Sequence, residues 1–384
     1  MCRIAFFCIP AWGHTNPTLQ VVKALTEQGH AVEYYSFPPF REAIEAAGAR
    51  FVNCDAGDIG PEVPGGDVAR DILASTRLMV ETTLRLEGMA LKSLAAFRPD
   101  VIVADSVALW GRLYAMKLGV PCVCSTTTFA FNKESAKVMR TGLRELIGML
   151  VRLPRVGRMM KPLRAAGYPV KGVMDILNSA DMPTVVYTSR AFQPCAETFS
   201  DHFAFVGPCP RPVSEPMEKP ERPLVYVSMG TVLDGEHDFY RSCAEAFRDG
   251  EYEVILSVGE SRAPADPPEN VHIYKRVDQI AVLRVADAFI THCGMNSASE
   301  ALYCGVPLVT RPLTPEEGGV ANRAERLGAA LRLADTTPEA IRAAVDAVLG
   351  DAKYRRAAQQ IGEGFHKCGG AEEAARVILK ACVA

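Results

Sequence analysis

Residues 207 to 223, GPCPRPVSEPMEKPERP, hold six prolines in seventeen positions. Proline fixes φ, offers no N–H and clashes with the turn before it, so neither a helix nor a central strand survives that density. The stretch reads as an extended linker, and the fold must be assembled on its two sides. A chain of 384 residues leaves each side enough sequence for its own core.

Both sides alternate in the same way. Before the linker come RIAFFCI, a helix over about 16–28, AVEYYSF, a helix through REAIEAAG, RFVNC, a long helical stretch, VIVAD and PCVCST. After it come LVYVSMG, a helix around 236–249, YEVILSVG, VHIYKRV, AFITHCG, a further helix, VPLVTRP and terminal helices. Short apolar strands separated by helices predict parallel sheets covered on both faces, hence an α/β chain with two doubly wound, Rossmann-like domains. Such sheets bind ligands at the carboxyl ends of their strands. The first strand-to-helix turn reads PAWGHTNP instead of GxGxxG, so it lends no support to a dinucleotide site.

Composition narrows the class. A formal net charge of −3 argues against a general nucleic-acid binder, and no run of about eighteen apolar residues could span a membrane. The opening MCRIAFFCIPAWGH lacks a small-residue cleavage site and reads as a first strand, not a signal peptide. Twelve scattered cysteines form no CxxC pair and no zinc-spaced cluster. Cys8, Cys54, Cys122 and Cys124 lie in apolar strand-like runs, and the cysteines are expected to be thiols of a cytoplasmic protein.

The densest polar pattern is THCGMNSASEALYCGVPLV, residues 291–309. Ser297 and Glu300 have the S-x-x-E spacing of a capping box, with Gly305 as the stop and VPLV as the next strand. A helix start also concentrates free N–H groups and positive dipole, which suits a phosphate. Gly294 would let backbone approach the ligand, His292, Asn296 and Ser297 could donate to phosphate oxygens, and Glu300 could accept from a ribose hydroxyl.

This segment closely resembles the signature of the GT-B-fold, family 1 nucleotide-sugar glycosyltransferases, especially their bacterial macrolide-glycosyltransferase-like branch. The pattern H-x-G-x-N-S-x-x-E-A-x-x-x-G-V-P is met by His292, Gly294, Asn296, Ser297, Glu300, Ala301, Gly305, Val306 and Pro307. The resemblance implies two domains facing an interdomain cleft: an acceptor-binding domain over 1–206 and a donor domain over 224–364. Residues 365–384 would form a helix returning to the first. It implies diphosphate contacts from His292, Gly294, Asn296 and Ser297 and a ribose contact from Glu300. Ser228, Gly230 and Thr231 of VYVSMGTV match a Ser/Gly/Thr loop beside the phosphates. KRVDQIAVL matches the element that holds base and ribose through Arg276, Val277 and Gln279. There Arg276 stands where an aromatic is usual, and Asp278 replaces a proline. Glu316 matches an acidic residue expected at the donor sugar, and Glu317 stands in place of the usual glutamine.

WGHTNP reproduces the family's H-x-N-P element, which makes His14 the expected general base, and Asp105 at the end of VIVAD matches its aspartate partner. On residue type alone, His14 could be a solvated loop histidine and Asp105 a helix cap. Trp12, Phe129 and Met149 are expected to line the acceptor pocket. Ten Lys/Arg and two Glu lie between Lys133 and Lys171, read as a solvated face of an acceptor lid. The implied reaction is inverting transfer of a sugar, glucose first, from a UDP-sugar to a hydroxyl or other nucleophile of a small apolar acceptor. It needs no metal and no cofactor beyond the nucleotide sugar. The rivals are a TDP-deoxysugar transferase, a sugar-nucleotide epimerase or hydrolase, and a silent nucleotide-sugar binder.

Overall fold

The computed structural model describes residues 1–55, 72–138, 155–170, 182–213, 215–230 and 236–383. The chain groups into two compact units, Met1–Cys209 together with Cys368–Ala384, and Pro210–Lys367. Most of the proline-rich stretch therefore belongs to the second unit.

The first unit is built on a seven-stranded parallel sheet. Its strands are β1 (Arg3–Phe7), β2 (Ala31–Ser36), β3 (Arg50–Asn53), β4 (Val101–Asp105), β5 (Cys122–Thr126), β6 (Thr184–Val186) and β7 (Phe203–Phe205), in the order β3-β2-β1-β4-β5-β6-β7. The second unit has six parallel strands, β8 (Leu224–Ser228), β9 (Glu253–Ser257), β10 (Val271–Tyr274), β11 (Ala288–Thr291), β12 (Leu308–Thr310) and β13 (Ala330–Arg332). Their order is β10-β9-β8-β11-β12-β13. Each order runs outward from a central pair and reverses there, at β1/β4 and at β8/β11. Those two places are the topological switch points, where the helices leave on opposite faces and the strand ends open a crevice.

Strand composition follows position in the sheet. The central strands β4, β8 and β11 are buried at every residue, because helices cover both faces. The edge strands β3 and β10 mix buried and exposed positions. Tyr226 on β8 stacks on Phe289 of the neighbouring β11, ring centroids 4.7 Å apart, which ties the centre of the second sheet together. In the first unit the last helix, Gly370–Cys382, packs along the helix Trp12–Glu27 and against β4 and β5. Its buried face is Ala374, Ala375, Ile378 and Ala381, small enough to let the two helices approach closely.

That packing corrects the expectation for the cysteines. Cys2 and Cys382 are joined in a disulfide, with Cα atoms 6.5 Å apart. The terminal helix ends beside the start of β1, and this brings residues 380 positions apart within bonding range. On the chain-entropy view a closure of that length stabilises by an amount on the order of 5 kcal/mol. Cys8, Cys54 and Cys124 are free and buried, and Cys122 is free and half-buried.

The first helix also begins earlier than its sequence suggests. It starts at Trp12, so Pro17 lies inside it and His14 falls in its first turn, not in a loop. The Ala11 carbonyl accepts from both His14 N (3.1 Å) and Thr15 N (2.9 Å). Proline conflicts with the carbonyl four residues back, and here that residue is Gly13, exposed to solvent.

Candidate active site

Each switch point carries a polar cluster. In the first unit, β1 runs into the helix bearing His14, while the adjacent β4 ends on Asp105. His14 Nδ1 lies 2.8 Å from Asp105 Oδ2. The other carboxylate oxygen accepts from Val107 N at 2.8 Å and Ala108 N at 3.3 Å. The cap-like role and the histidine contact are thus divided between the two oxygens of one side chain. Asp105 is almost fully buried, whereas His14 keeps 16% of its side chain exposed. A second group reaches the same nitrogen, Thr127 Oγ1 at 2.9 Å, just beyond the end of β5. Thr127 carries no sequence signal of its own; only the pairing of β5 with β4 brings it to this edge.

Apolar residues lie in the segments that follow β1, β4 and β5. Val107 and Phe131 follow β4 and β5 and are 49% and 59% exposed. Trp12 packs on Phe40, centroids 4.6 Å apart, and is half-buried. Phe129 is buried against Phe192 at 5.6 Å. Met149 lies outside the described residues, as does much of the basic 133–171 stretch.

In the second unit β8 ends on Ser228 and its partner β11 ends on Thr291, paired in register, with His292 next. The His292 ring lies between two glycines. A Cβ on Gly230 would sit 2.7 Å from ring atom Cε1, and one on Gly294 would sit 2.6 Å from Nε2. Gly230 also has φ +82°, a conformation that other residues rarely adopt. Both positions must therefore be glycine for the imidazole to sit where it does. Among the described residues its Nδ1 is buried without a hydrogen-bond partner. Burial lowers the pKa of His292, while the charge of Glu317 and the Ser228 backbone pull the other way. Thr231 lies outside the described residues.

The helix Met295–Tyr303 follows, and it corrects the capping-box expectation. Its N-cap is Gly294, with no side-chain cap. Glu300 instead accepts from Gln279 Nε2 at 2.6 Å through one oxygen and from Asn296 Nδ2 at 3.0 Å through the other. Ser297 Oγ receives a 3.3 Å hydrogen bond from Gln279 Nε2. The long-range partner Gln279, itself met by Tyr226 OH at 3.3 Å, displaces the local pairing. Among the described residues no N-cap side chain closes the start of this helix, and free N–H groups at a helix start suit an anion. Burial raises the pKa of Glu300, opposed by the hydrogen bonds from Gln279 and Asn296.

The remaining expected residues belong to the same unit. Asp278, standing where the family has proline, caps the helix Gln279–Leu283 by accepting from Ala281 N. Val277 is half-buried, and Arg276 is exposed, 3.9 Å from Glu260. Glu317 takes part in a capping box with Thr314 at the start of the helix Pro315–Arg326. Its Oε2 accepts from Leu313 N at 2.7 Å and Thr314 N at 2.9 Å. Glu316 is exposed on the first turn of the same helix.

Comparison with known proteins agrees with this architecture. The UDP-glucoronosyl and UDP-glucosyl transferase family matches residues 202–367. The NDP-glycosyltransferase YjiC of Bacillus licheniformis is 34% identical, over 97% of this chain and 96% of that protein. The demethyllactenocin mycarosyltransferase of Streptomyces fradiae is 31% identical, over 98% and 86%. Among solved structures, the glycotransferase of kitacinnamycin superimposes with a TM-score of 0.82 at 25% identity, covering 99% of this chain and 98% of that one. The calicheamicin glycosyltransferase CalG4 gives 0.76 at 28%, with the same coverage. Two parallel α/β units with polar clusters at their switch points, matched over nearly their whole length to such enzymes, define a transferase of GT-B fold. The chain belongs to the family 1 glycosyltransferases, enzymes that transfer a sugar from a nucleotide-sugar donor. Among the described residues no helix is long and apolar enough to cross a membrane.

Proposed function

We propose that this enzyme transfers glucose from UDP-glucose, with inversion, to a hydroxyl of a small apolar acceptor, with His14 as general base. The observation that carries the reading is the His14–Asp105 pair at the β1/β4 switch point. A carboxylate has no proton to donate, so Nδ1 supplies the one between them and Nε2 is left to act as base. Nε2 takes the acceptor's O–H proton as the oxygen attacks the anomeric carbon. The carbon–oxygen bond to the diphosphate breaks and UDP leaves with the electron pair. Asp105 then faces an imidazolium, and its buried charge stabilises that state. The charge gathering on the leaving diphosphate is met by the uncapped start of Met295–Tyr303 and by His292. Gln279 and Glu300 hold the ribose, and Arg276 lays its guanidinium plane on the base. No metal enters the scheme. The exposed Val107, two residues past Asp105 and bonded to it through its N–H, favours an acceptor with an apolar body.

A panel of UDP- and TDP-sugars crossed with phenolic and alcoholic acceptors, read by mass spectrometry and by the anomeric coupling constant, tests this. The expected product is a β-glucoside formed from UDP-glucose. Preferential turnover of a TDP-deoxysugar would reassign the donor, and acceptor-independent consumption of donor would point to an epimerase or hydrolase.

Glu317 supplies a sharper test. One of its oxygens is held by two backbone N–H groups; in this reading the other would meet the sugar as an acceptor, where a glutamine would donate. Glu317→Gln keeps the capping box and is expected to leave the melting temperature within about 2 °C. It should alter the ratio of kcat/KM between UDP-sugars by roughly tenfold, about 1.4 kcal/mol. An unchanged ratio would remove Glu317 from the sugar site.

A further inference from the structure

The contact between Thr127 and His14 goes beyond the histidine–aspartate pair. We infer that Thr127 is a positioning residue that fixes the ring plane of the base through Nδ1; this rests on the reading of His14 as base. The geometry is a nitrogen with two oxygens in reach, Asp105 Oδ2 at 2.8 Å and Thr127 Oγ1 at 2.9 Å. They come from different elements, the end of β4 and the residue past the end of β5. Asp105 cannot swivel, because its second oxygen is pinned by Val107 N and Ala108 N. It therefore selects the tautomer with hydrogen on Nδ1, since the other would set a nitrogen lone pair against a buried carboxylate.

One acceptor restrains rotation of the imidazole about its bond to Cβ less than two do. A second acceptor on the same N–H, forming a three-centre hydrogen bond, defines the plane and hence the direction of Nε2. Thr127 is 4% exposed, so water does not substitute readily for its hydroxyl. Its lone pair also favours the protonated ring over the neutral one, because the N–H of an imidazolium is the stronger donor. Thr127 thus acts on direction and on proton affinity together.

The test is a set of variants assayed across pH with the full-length enzyme, UDP-glucose and a phenolic acceptor. Thr127→Val keeps the shape and removes the hydroxyl, and kcat should fall about tenfold while KM for the donor stays within about twofold. Losing the acceptor disfavours imidazolium, so the acidic limb of kcat/KM should move to lower pH by about half a unit. Thr127→Ser should restore both, and Thr127→Ala, which packs with less constraint, should behave as Thr127→Val. Wild-type kcat and pH profile in Thr127→Val would overturn the inference. So would a Thr127→Ser enzyme that behaves like Thr127→Val, since the hydroxyl would then not be the agent. His14→Ala run in parallel separates the two readings. Wild-type turnover there removes the base itself, whereas an inactive His14→Ala beside a normal Thr127→Val removes only the positioning role.

Discussion

His14→Ala is expected to lower transfer to a phenol or alcohol by about 10²–10⁴-fold while the affinity for UDP is unchanged. The asymmetry follows from where the residue lies. His14 belongs to the unit Met1–Cys209, and the cluster around His292, Gln279 and Glu300 belongs to Pro210–Lys367. Removing the imidazole leaves the acceptor hydroxyl, with its high pKa, to attack without losing its proton. The deficit should shrink for acceptors that ionise more readily, because they need less help from a base. A plot of log kcat against acceptor pKa should therefore be steeper for the variant than for the wild type. UDP titration by calorimetry supplies the control. Turnover within a few-fold of wild type would end the assignment of His14.

The second large effect is expected from Gly294→Ala, and it falls on the opposite function. Gly294 has an ordinary φ of −58°, so the backbone tolerates alanine and the penalty comes from contact alone. The new methyl would meet His292 Nε2 at 2.6 Å, well inside van der Waals distance. The ring has little room on its other side, where Gly230 closes against Cε1. The imidazole must then leave its place at the helix start, and UDP affinity should drop by about 10- to 100-fold, or roughly 1.4–2.8 kcal/mol. Gly350→Ala meets nothing within 4 Å and serves as the matched control. Equal UDP affinity in the two variants would show that His292 does not need this position to hold a nucleotide.

The extent to which the site could be read from sequence depended on how far apart its partners lie. The central strands were legible because burial on both faces demands unbroken apolar runs such as VIVAD and AFIT. Strands β6, β7 and β13 are three residues each, too short to carry any period, and they were missed. The Ser297–Glu300 spacing pointed to a local cap. Gln279, 21 residues from Glu300, claims the carboxylate instead, and spacing within a helix has no view of such a partner. Thr127 lies 113 residues from His14 and meets it only because β5 pairs with β4. Asp278 shows the opposite case, where a departure from the family motif is explained at once by the helix it caps.

The bond between Cys2 and Cys382 changes how the chain between them is connected. With Cys2 and Cys382 fastened side by side in one unit, the residues between them form a covalent ring, and Pro210–Lys367 is an insertion entered and left from that same unit. A single backbone cut between the two cysteines would leave one molecule, not two fragments. Exposed loops between the two cysteines are therefore places where the chain could be opened without losing the connection between its parts.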